Sequence, residues 1–324
     1  MKVVIPVAGV GARLRPHTNT LPKPLIEVAG RPILSYILDP LKRLKPSEVI
    51  FVVGYKGDQI RGFVKENYKF KASFVEQDEL LGLGYAISLA MPKVGRSDLM
   101  IILGDTIVES DLNSFVKAGE FVLGVKKVPD PERFGIAAIN NGYISHLLEK
   151  PKKPAGNLAL IGLYYFKKAE TVNKELNKLV KSGKRTRGEI QLTDALQGMI
   201  ENGTKFVPFE VQGWHDCGTK EATLQTNQHF LKKSKSSREI EGCRLVPPVF
   251  ISASAKIEQS IIGPFVSVGD SVQISESEIT NSIIGKDSLI ENSQVKDSLI
   301  GQEAIVKGYK GVLNLGDNSE IQCC

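Results

Sequence analysis

Two periodicities divide the chain. Up to residue 230, short apolar runs alternate with stretches whose apolar residues recur every three or four positions. Lys2–Val7, Val49–Gly54, Ala72–Glu76 and Leu99–Leu103 are runs of strand length, and Pro32–Leu44, Asp58–Asn67 and Leu83–Met91 between them have helical spacing. The order βαβαβαβ predicts a mostly parallel sheet covered by helices, an α/β fold of the Rossmann-like, doubly wound kind.

The texture changes after the polar stretch Leu231–Glu241, LKKSKSSREIE, which reads as a linker over residues 232–242 between a domain of 1–231 and a domain of 243–324. A nucleic-acid patch is the other reading of those cations, but no aromatics interleave them and no groove-reading motif follows, so no nucleic-acid partner is expected. Beyond the linker, Ser260-Ile261-Ile262-Gly263, Ser282-Ile283-Ile284-Gly285 and Ser298-Leu299-Ile300-Gly301 repeat one another. Each leads into apolar residues six apart: Ile262, Val268 and Ile274; Ile284 and Ile290; Ile300, Val306 and Val312. A six-residue apolar period is the hexapeptide signature of a parallel β-helix, with an ordinary β-sandwich as the alternative. Three or four coils fit, and the tetrapeptide intervals of 22 and 16 residues imply small irregularities in them.

Composition narrows the class. The chain has 324 residues, 42% hydrophobic and 24% charged, and no apolar run near the ~20 residues that span a bilayer. No membrane partner is expected, and the start MKVVIPVAG lacks the pattern of a signal peptide, which predicts a cytoplasmic address. Cys217, Cys243, Cys323 and Cys324 show no metal-ligand spacing, so neither disulfide nor zinc is expected. The net charge of +6 is unevenly spread: from Cys243 onward six basic residues face ten acidic ones, so the basic excess lies before it. An anionic ligand is therefore expected in the first domain.

The loop after the first strand carries Gly9, Gly11, Arg13, Arg15 and Lys23, the last held between Pro22 and Pro24. Glycines after a strand let a phosphate approach backbone N–H groups. The third glycine of a dinucleotide fingerprint and the GK[ST] of a P-loop are both missing. Two glycines and three cations suit a triphosphate, although such glycines also make plain turns. Asp105 ends the apolar strand Leu99–Leu103 after Gly104, where a carboxylate suits Mg²⁺ bridging phosphates or merely caps a turn. Asp216, beside the chain's one tryptophan, Trp214, supplies a second carboxylate. Two carboxylates, Mg²⁺ and a cationic loop make a kit for phosphoryl or nucleotidyl transfer.

These motifs, with EQDELLGLG at Glu76–Gly84, PERFG at Pro131–Gly135, EKP at Glu149–Pro151, RGEIQLTD at Arg187–Asp194 and GWHDCGT at Gly213–Thr219, resemble sugar-nucleotide pyrophosphorylases over residues 1–230. The resemblance is nearest to the long form of glucose-1-phosphate thymidylyltransferases, which carries a C-terminal left-handed β-helix; the ending Gly316–Ile321 is similar to that form. It implies attack of a sugar 1-phosphate oxygen on the α-phosphorus of a nucleoside triphosphate, with pyrophosphate leaving. Arg13 and Lys23 match the residues that neutralise phosphate charge, Asp105 and Asp216 the metal-binding carboxylates, and Gly9 and Gly11 the nucleotide loop. Gln77 and Gly82 match the pair that reads a pyrimidine. Gly135, Glu149 and Lys150 match the contacts to the sugar phosphate, and Asn157 and Gly162 fall near the sugar-pocket strand. The implied partners are a nucleoside triphosphate, dTTP or UTP, a sugar 1-phosphate, and further copies of the chain in a homo-oligomer.

The chain departs from the thymidylyltransferase wording at Ala12, at Thr106 and at Lys23-Pro24-Leu25, a wording that also suits guanylyl and adenylyl transfer. An acetyltransferase role for the β-helix would call for a histidine base, and all four histidines precede residue 230. A non-catalytic relative would be expected to have lost Arg13, Lys23, Asp105 or Asp216, and all four are present.

Overall fold

The computed structural model describes residues 1–154, 156–234 and 239–323, which leaves part of the expected linker, residues 235–238, and Cys324 outside the described residues. By its contacts the chain forms two compact units, one of residues 1–9 and 37–214, the other of residues 10–36 and 215–324.

The first unit is built on a mixed sheet. Its main path runs Tyr143–Glu149, Gly135–Asn140, Leu158–Phe166, Leu99–Ile102, Lys2–Pro6, Glu48–Val53, Ala72–Glu76. Lys2–Pro6 pairs in parallel with both Glu48–Val53 and Leu99–Ile102, the arrangement that the alternating periods predict. Glu48–Val53 and Leu99–Ile102 are buried along their whole length. Strands covered on both faces read as continuous apolar runs rather than alternation. Leu158–Phe166 then joins antiparallel to Leu99–Ile102 and also pairs with Phe121–Lys127. The helix expected over Pro32–Leu44 is two short helices, Ile33–Leu38 and Leu41–Leu44. Pro40 breaks it, because its ring disfavours helical backbone at Asp39 and it has no N–H to donate.

The second unit holds a parallel β-helix with three ladders. One runs through Arg244–Leu245, Ile261–Ile262, Glu278–Thr280, Gln294–Ile300 and Lys310–Leu315, five rungs where three or four coils were expected. A second starts with Val249–Ile251 and Val266–Val268, and a third links Lys256–Glu258, Gln273–Ser275, Leu289–Glu291, Ile305–Lys307 and Glu320–Gln322. The inward residues Ile274, Ile279, Ile284, Ile290, Val295, Ile300 and Val306 are all at most 2% exposed. Their spacing is five or six residues, so a rung closes in about sixteen residues instead of the eighteen of a strict hexad. Ile279 and Val295 sit on the five-residue sides, which a search for hexads passes over. Val312, expected to point inward, is 46% exposed, and Leu313 is the buried residue. The ladder slips between Lys296 and Leu299, and Val312 pairs with the outward Lys296.

Three corner lines close each rung in left-handed backbone: Gln259, Glu276, Asn292 and Gly308; Phe265, Asp297 and, between them, Asn281; and Ser271, Asp287, Glu303 and Asn318. The corner amides are satisfied by the preceding rung, as where Asp287 N–H donates to the Asp270 carbonyl at 2.8 Å and Glu303 N–H to Lys286 at 2.9 Å. Buried serines add a second tie. The hydroxyl oxygens of Ser260, Ser277 and Ser293 accept the N–H of Ser277, Ser293 and Tyr309, and Ser282 and Ser298 accept those of Ser298 and Leu313. Ser260 therefore belongs to a different line from Ser282, which accounts for the interval of 22 residues between their tetrapeptides.

The helix Lys220–Lys233 lies along one of these corner lines. Asn227 Nδ2 donates to the Phe265 carbonyl at 3.2 Å, Gln228 Nε2 to Asn281 Oδ1 at 2.7 Å, and Lys220 Nζ to the Asp297 carbonyl at 3.1 Å. The fully buried Asn227 Oδ1 also accepts from Ala29 N–H and Ser267 Oγ, both at 2.7 Å, which ties the hairpin Glu27–Pro32 to the same face.

Candidate active site

In the first unit the strand ends crowd around Asp105. A Cβ on Gly104 would stand 2.3 Å from Val7 Cγ1 and 2.9 Å from the Pro6 carbonyl, so only glycine lets the chain turn there beside Lys2–Pro6. Asp105 follows, half-buried, with Oδ1 accepting from Thr106 Oγ1 at 3.2 Å. Gly162, in left-handed backbone, takes the Leu103 side chain into the space its own would need, with Leu103 Cδ1 2.6 Å from the missing Cβ. In this structure Gly162 thus shapes the strand that leads to Asp105.

Gly135, Glu149 and Lys150 are brought together. A Cβ on Gly135 would lie 3.1 Å from Glu149 Oε2 and 3.3 Å from Thr193 Oγ1. The Glu149 side chain is 9% exposed, accepts from Thr193 Oγ1 at 2.6 Å and has Lys150 Nζ at 3.4 Å. Lys150 is in left-handed backbone, φ 42°, held by its N–H donating to the Phe134 carbonyl at 3.0 Å and by the Arg187 guanidinium on its own carbonyl. Asn157 is exposed and its backbone carbonyl accepts from Val128 N–H at 2.9 Å. Burial, with the Glu149 charge next in weight, pushes the Tyr164 hydroxyl well above the ordinary tyrosine range. It is therefore neutral at any working pH.

Gln77 is buried, its N–H donating to the Val53 carbonyl at 2.7 Å and its Nε2 to the Glu79 carbonyl at 3.0 Å. A carboxamide with one hydrogen so engaged still has a donor and an acceptor to offer a base. Gly82 caps the helix Leu83–Val94 with φ 108°, and a Cβ there would stand 2.8 Å from both Glu189 Cβ and the Ile190 carbonyl.

In the second unit Gly11 takes φ 64°, and a Cβ there would meet Thr18 Cγ2 at 2.9 Å and Lys23 Cβ at 3.1 Å. Thr18 Oγ1 donates to the Gly11 carbonyl at 3.0 Å, which folds the loop back on itself. Lys23 begins the short 3₁₀ turn Lys23–Leu25 and is 6% exposed, whereas Arg13 is exposed. Arg13 and Asp216 flank Gly218: a Cβ on Gly218 would lie 2.8 Å from Arg13 Nη2 and 2.9 Å from Asp216 Oδ1. Gly9, in the first unit, has open space where its side chain would be.

The structure adds two residues to those expected. Thr193 orients Glu149, and its signal was the RGEIQLTD motif. Trp214 packs edge-on against Phe134 with ring centroids 4.9 Å apart, beside Val128, Ile136 and Ala159. Its buried Nε1–H has no partner among the described residues, a donor suited to a ligand oxygen.

His17 is buried, with Nε2 2.9 Å from Asn314 Oδ1. Desolvation lowers its pKa from 6.5, against smaller raising effects of that hydrogen bond and of Asp317. Above pH 6.5 both folded and unfolded chains carry it neutral. As the pH falls below that, the unfolded chain binds a proton that the folded one resists, so stability falls until the lowered pKa is reached. Melting temperature followed from pH 8 to pH 5 is expected to drop more in the unaltered chain than in His17→Gln; parallel curves would contradict the assignment.

Residues 2–233 match the family described as Nucleotidyl transferase. The chain is 32% identical over 322 residues to the low-salt glycan biosynthesis nucleotidyltransferase Agl11 of Haloferax volcanii, covering 90% of this chain and 89% of that protein. It is 30% identical over 322 residues to the glucose-1-phosphate thymidylyltransferase of Streptomyces antibioticus, covering 90% and 88%. Among solved structures it is similar to one described as a glucose-1-phosphate thymidylyltransferase of Bacillus anthracis, with a TM-score of 0.62 and 27% identity, over 74% of this chain and 98% of that one. The chain belongs to the nucleotidyl transferase family, and within it to the sugar-nucleotide pyrophosphorylases that its motifs resemble.

Proposed function

We propose that this chain transfers a nucleoside monophosphate from dTTP or UTP to glucose 1-phosphate. A phosphate oxygen of the sugar bonds to the α-phosphorus, the bond from the α-phosphorus to the bridging oxygen breaks, and pyrophosphate leaves with that electron pair. The observation that carries the sugar part is Glu149: a nearly buried carboxylate, pinned by Thr193 across the bare face of Gly135 and followed by a cation. Such a carboxylate accepts sugar hydroxyls, and Lys150 Nζ is the charge for the sugar's phosphate. Arg13 and Lys23 offset the charge that grows on the triphosphate as the bond to pyrophosphate breaks.

Asp105 and Asp216 are each hard oxygen donors of the kind that hold Mg²⁺, and the Arg13 guanidinium beside Asp216 suits phosphate oxygens. Mg²⁺, when bound, would neutralise phosphate oxygens. Thymidylyltransferase relatives favour a pyrimidine and glucose 1-phosphate as substrates.

The test is a matrix of five nucleoside triphosphates against several sugar 1-phosphates with Mg²⁺, read as pyrophosphate released. Release is expected to be fastest with dTTP or UTP and glucose 1-phosphate. A purine triphosphate as best donor would overturn the base reading, and no release with any pair would overturn the function. If Gln77 reads the base, Gln77→Ala narrows the gap between the best and worst triphosphates by about tenfold, one to two hydrogen bonds' worth. An equal loss with every triphosphate would show that Gln77 only packs.

A further inference from the structure

We propose that Asn314 and Asp317, on the last rung of the β-helix, are positioning residues for the loop that carries Arg13 and Lys23, so that the C-terminal coils take part in nucleotidyl transfer by holding that loop in register. The proposal rests on the roles given above to the two cations.

The loop from Val10 to Tyr36 shares its compact unit with the coils. Four contacts fasten its middle to the end of the β-helix. His17 Nε2–H donates to Asn314 Oδ1 at 2.9 Å, and Asn314 Nδ2 donates back to the Arg15 carbonyl at 3.4 Å, so the two bonds agree on how the amide is turned. Thr20 Oγ1 donates to Asp317 Oδ2 at 2.5 Å. A Cβ on Gly316 would lie 2.9 Å from Pro16 Cβ, so the glycine lets the proline ring lie against the rung.

The anchors on the coil side are stiff. Asp317 Oδ1 accepts the Gln302 N–H at 2.8 Å and so is tied to the rung before it, while Asn314 pairs with Leu299 in the ladder. The attachment points Arg15, Pro16, His17 and Thr20 fall between the two cations in sequence. The loop's own ties, Thr18 to Gly11 and the close approach of Gly11 to Lys23 Cβ, then carry the same constraint to both. Gly9 and Gly11 make the segment permissive, and a permissive segment needs external bracing if its cations are to meet a transition state within a fraction of an ångström.

The experiment uses the full chain with Asn314→Ala, Asp317→Ala, Asp317→Asn and Thr20→Val. Removing either brace is expected to lower kcat about tenfold, a modest part of what a 1 Å misplacement costs. The KM for sugar 1-phosphate, whose contacts lie on Gly135, Glu149 and Lys150, is expected to stay. Asp317→Asn, whose one oxygen can still accept the Gln302 N–H while its amide nitrogen donates to Thr20 Oγ1, is expected to recover most of the loss. Asp317→Ala in a Thr20→Val background is expected to add only what the loss of its Gln302 bond costs, clearly less than Asp317→Ala costs alone, because the Thr20 bond is already gone.

Amide hydrogen exchange gives a readout independent of turnover: Leu14, Asn19 and Leu21, whose N–H groups are bonded within the loop, are expected to exchange faster in the two alanine variants. Unchanged exchange would overturn the bracing whatever the activity. An unchanged kcat in variants of an active chain, or additive losses in the double variant, would overturn the link to the reaction. An inactive unaltered chain with faster exchange in the variants would sink the substrate reading while the bracing stood.

Discussion

Lys23→Ala is expected to lower kcat about 100-fold, with a much smaller change in the KM of either substrate. The Lys23 side chain is almost entirely removed from water, at 6% exposure, on a turn stiffened by Pro22 and Pro24. Burying an ammonium costs several kcal/mol in lost hydration unless charge meets it. On the proposed function, negative charge grows beside this loop as pyrophosphate departs, and a cation held in place there stabilises that charge most at that point. Lys23→Met separates charge from packing, because it keeps the apolar stem and most of the volume. It is expected to be as slow as Lys23→Ala while melting higher than that variant. A normal kcat in either variant would end the transition-state role.

Gly285→Ala is expected to destabilise the second unit by about 3 kcal/mol, the upper range for overpacking. The rungs touch through bare α-carbons: a Cβ on Gly285 would stand 2.5 Å from both the carbon and the oxygen of the Gly301 carbonyl, and 2.7 Å from Gln302 N. These are backbone atoms fixed by ladders on either side, so the clash has nowhere to relax. Gly62→Ala is the control. Gly62 lies within the helix Gly57–Asn67 with open space around its missing side chain, and alanine there is expected to add about 0.5–1 kcal/mol. Thermal or urea unfolding measures both; a Gly285→Ala chain as stable as the unaltered one would refute the tight stacking.

The catalytic sheet was legible because its strands are buried on both faces, so that EVIFVV and LMII stand out as uninterrupted apolar runs. The break at Pro40 was legible too, from the ring chemistry of proline, but helical spacing across it masked the interruption. The β-helix was visible from its six-residue sides. Its rung count was not, since four of the six steps between the inward residues from Ile274 to Val306 are five residues long and the serines that align the rungs belong to two separate lines. In the candidate site, glycines and charges announce themselves by type, whereas Thr193, though inside the RGEIQLTD motif, is assigned to Glu149 by the fold that turns it there. The partnership of His17 with Asn314 spans 297 residues and has no local pattern at all.

The helix Lys220–Lys233 also sets a gauge. From Asn227 to Lys220 it rises about 10 Å, and its contacts at Phe265 and Asp297 are two rungs apart, about 9.6 Å at the usual spacing between paired strands. The two repeats are commensurate over this distance. Inserting one more sixteen-residue rung between Phe265 and Asn314 would keep every face, corner and serine line in phase, yet it would carry Asn314 about 4.8 Å away from His17. A change of count inside this gauge is therefore expected to part Asn314 from the loop it braces, a limit that a rung added beyond the last one would not meet.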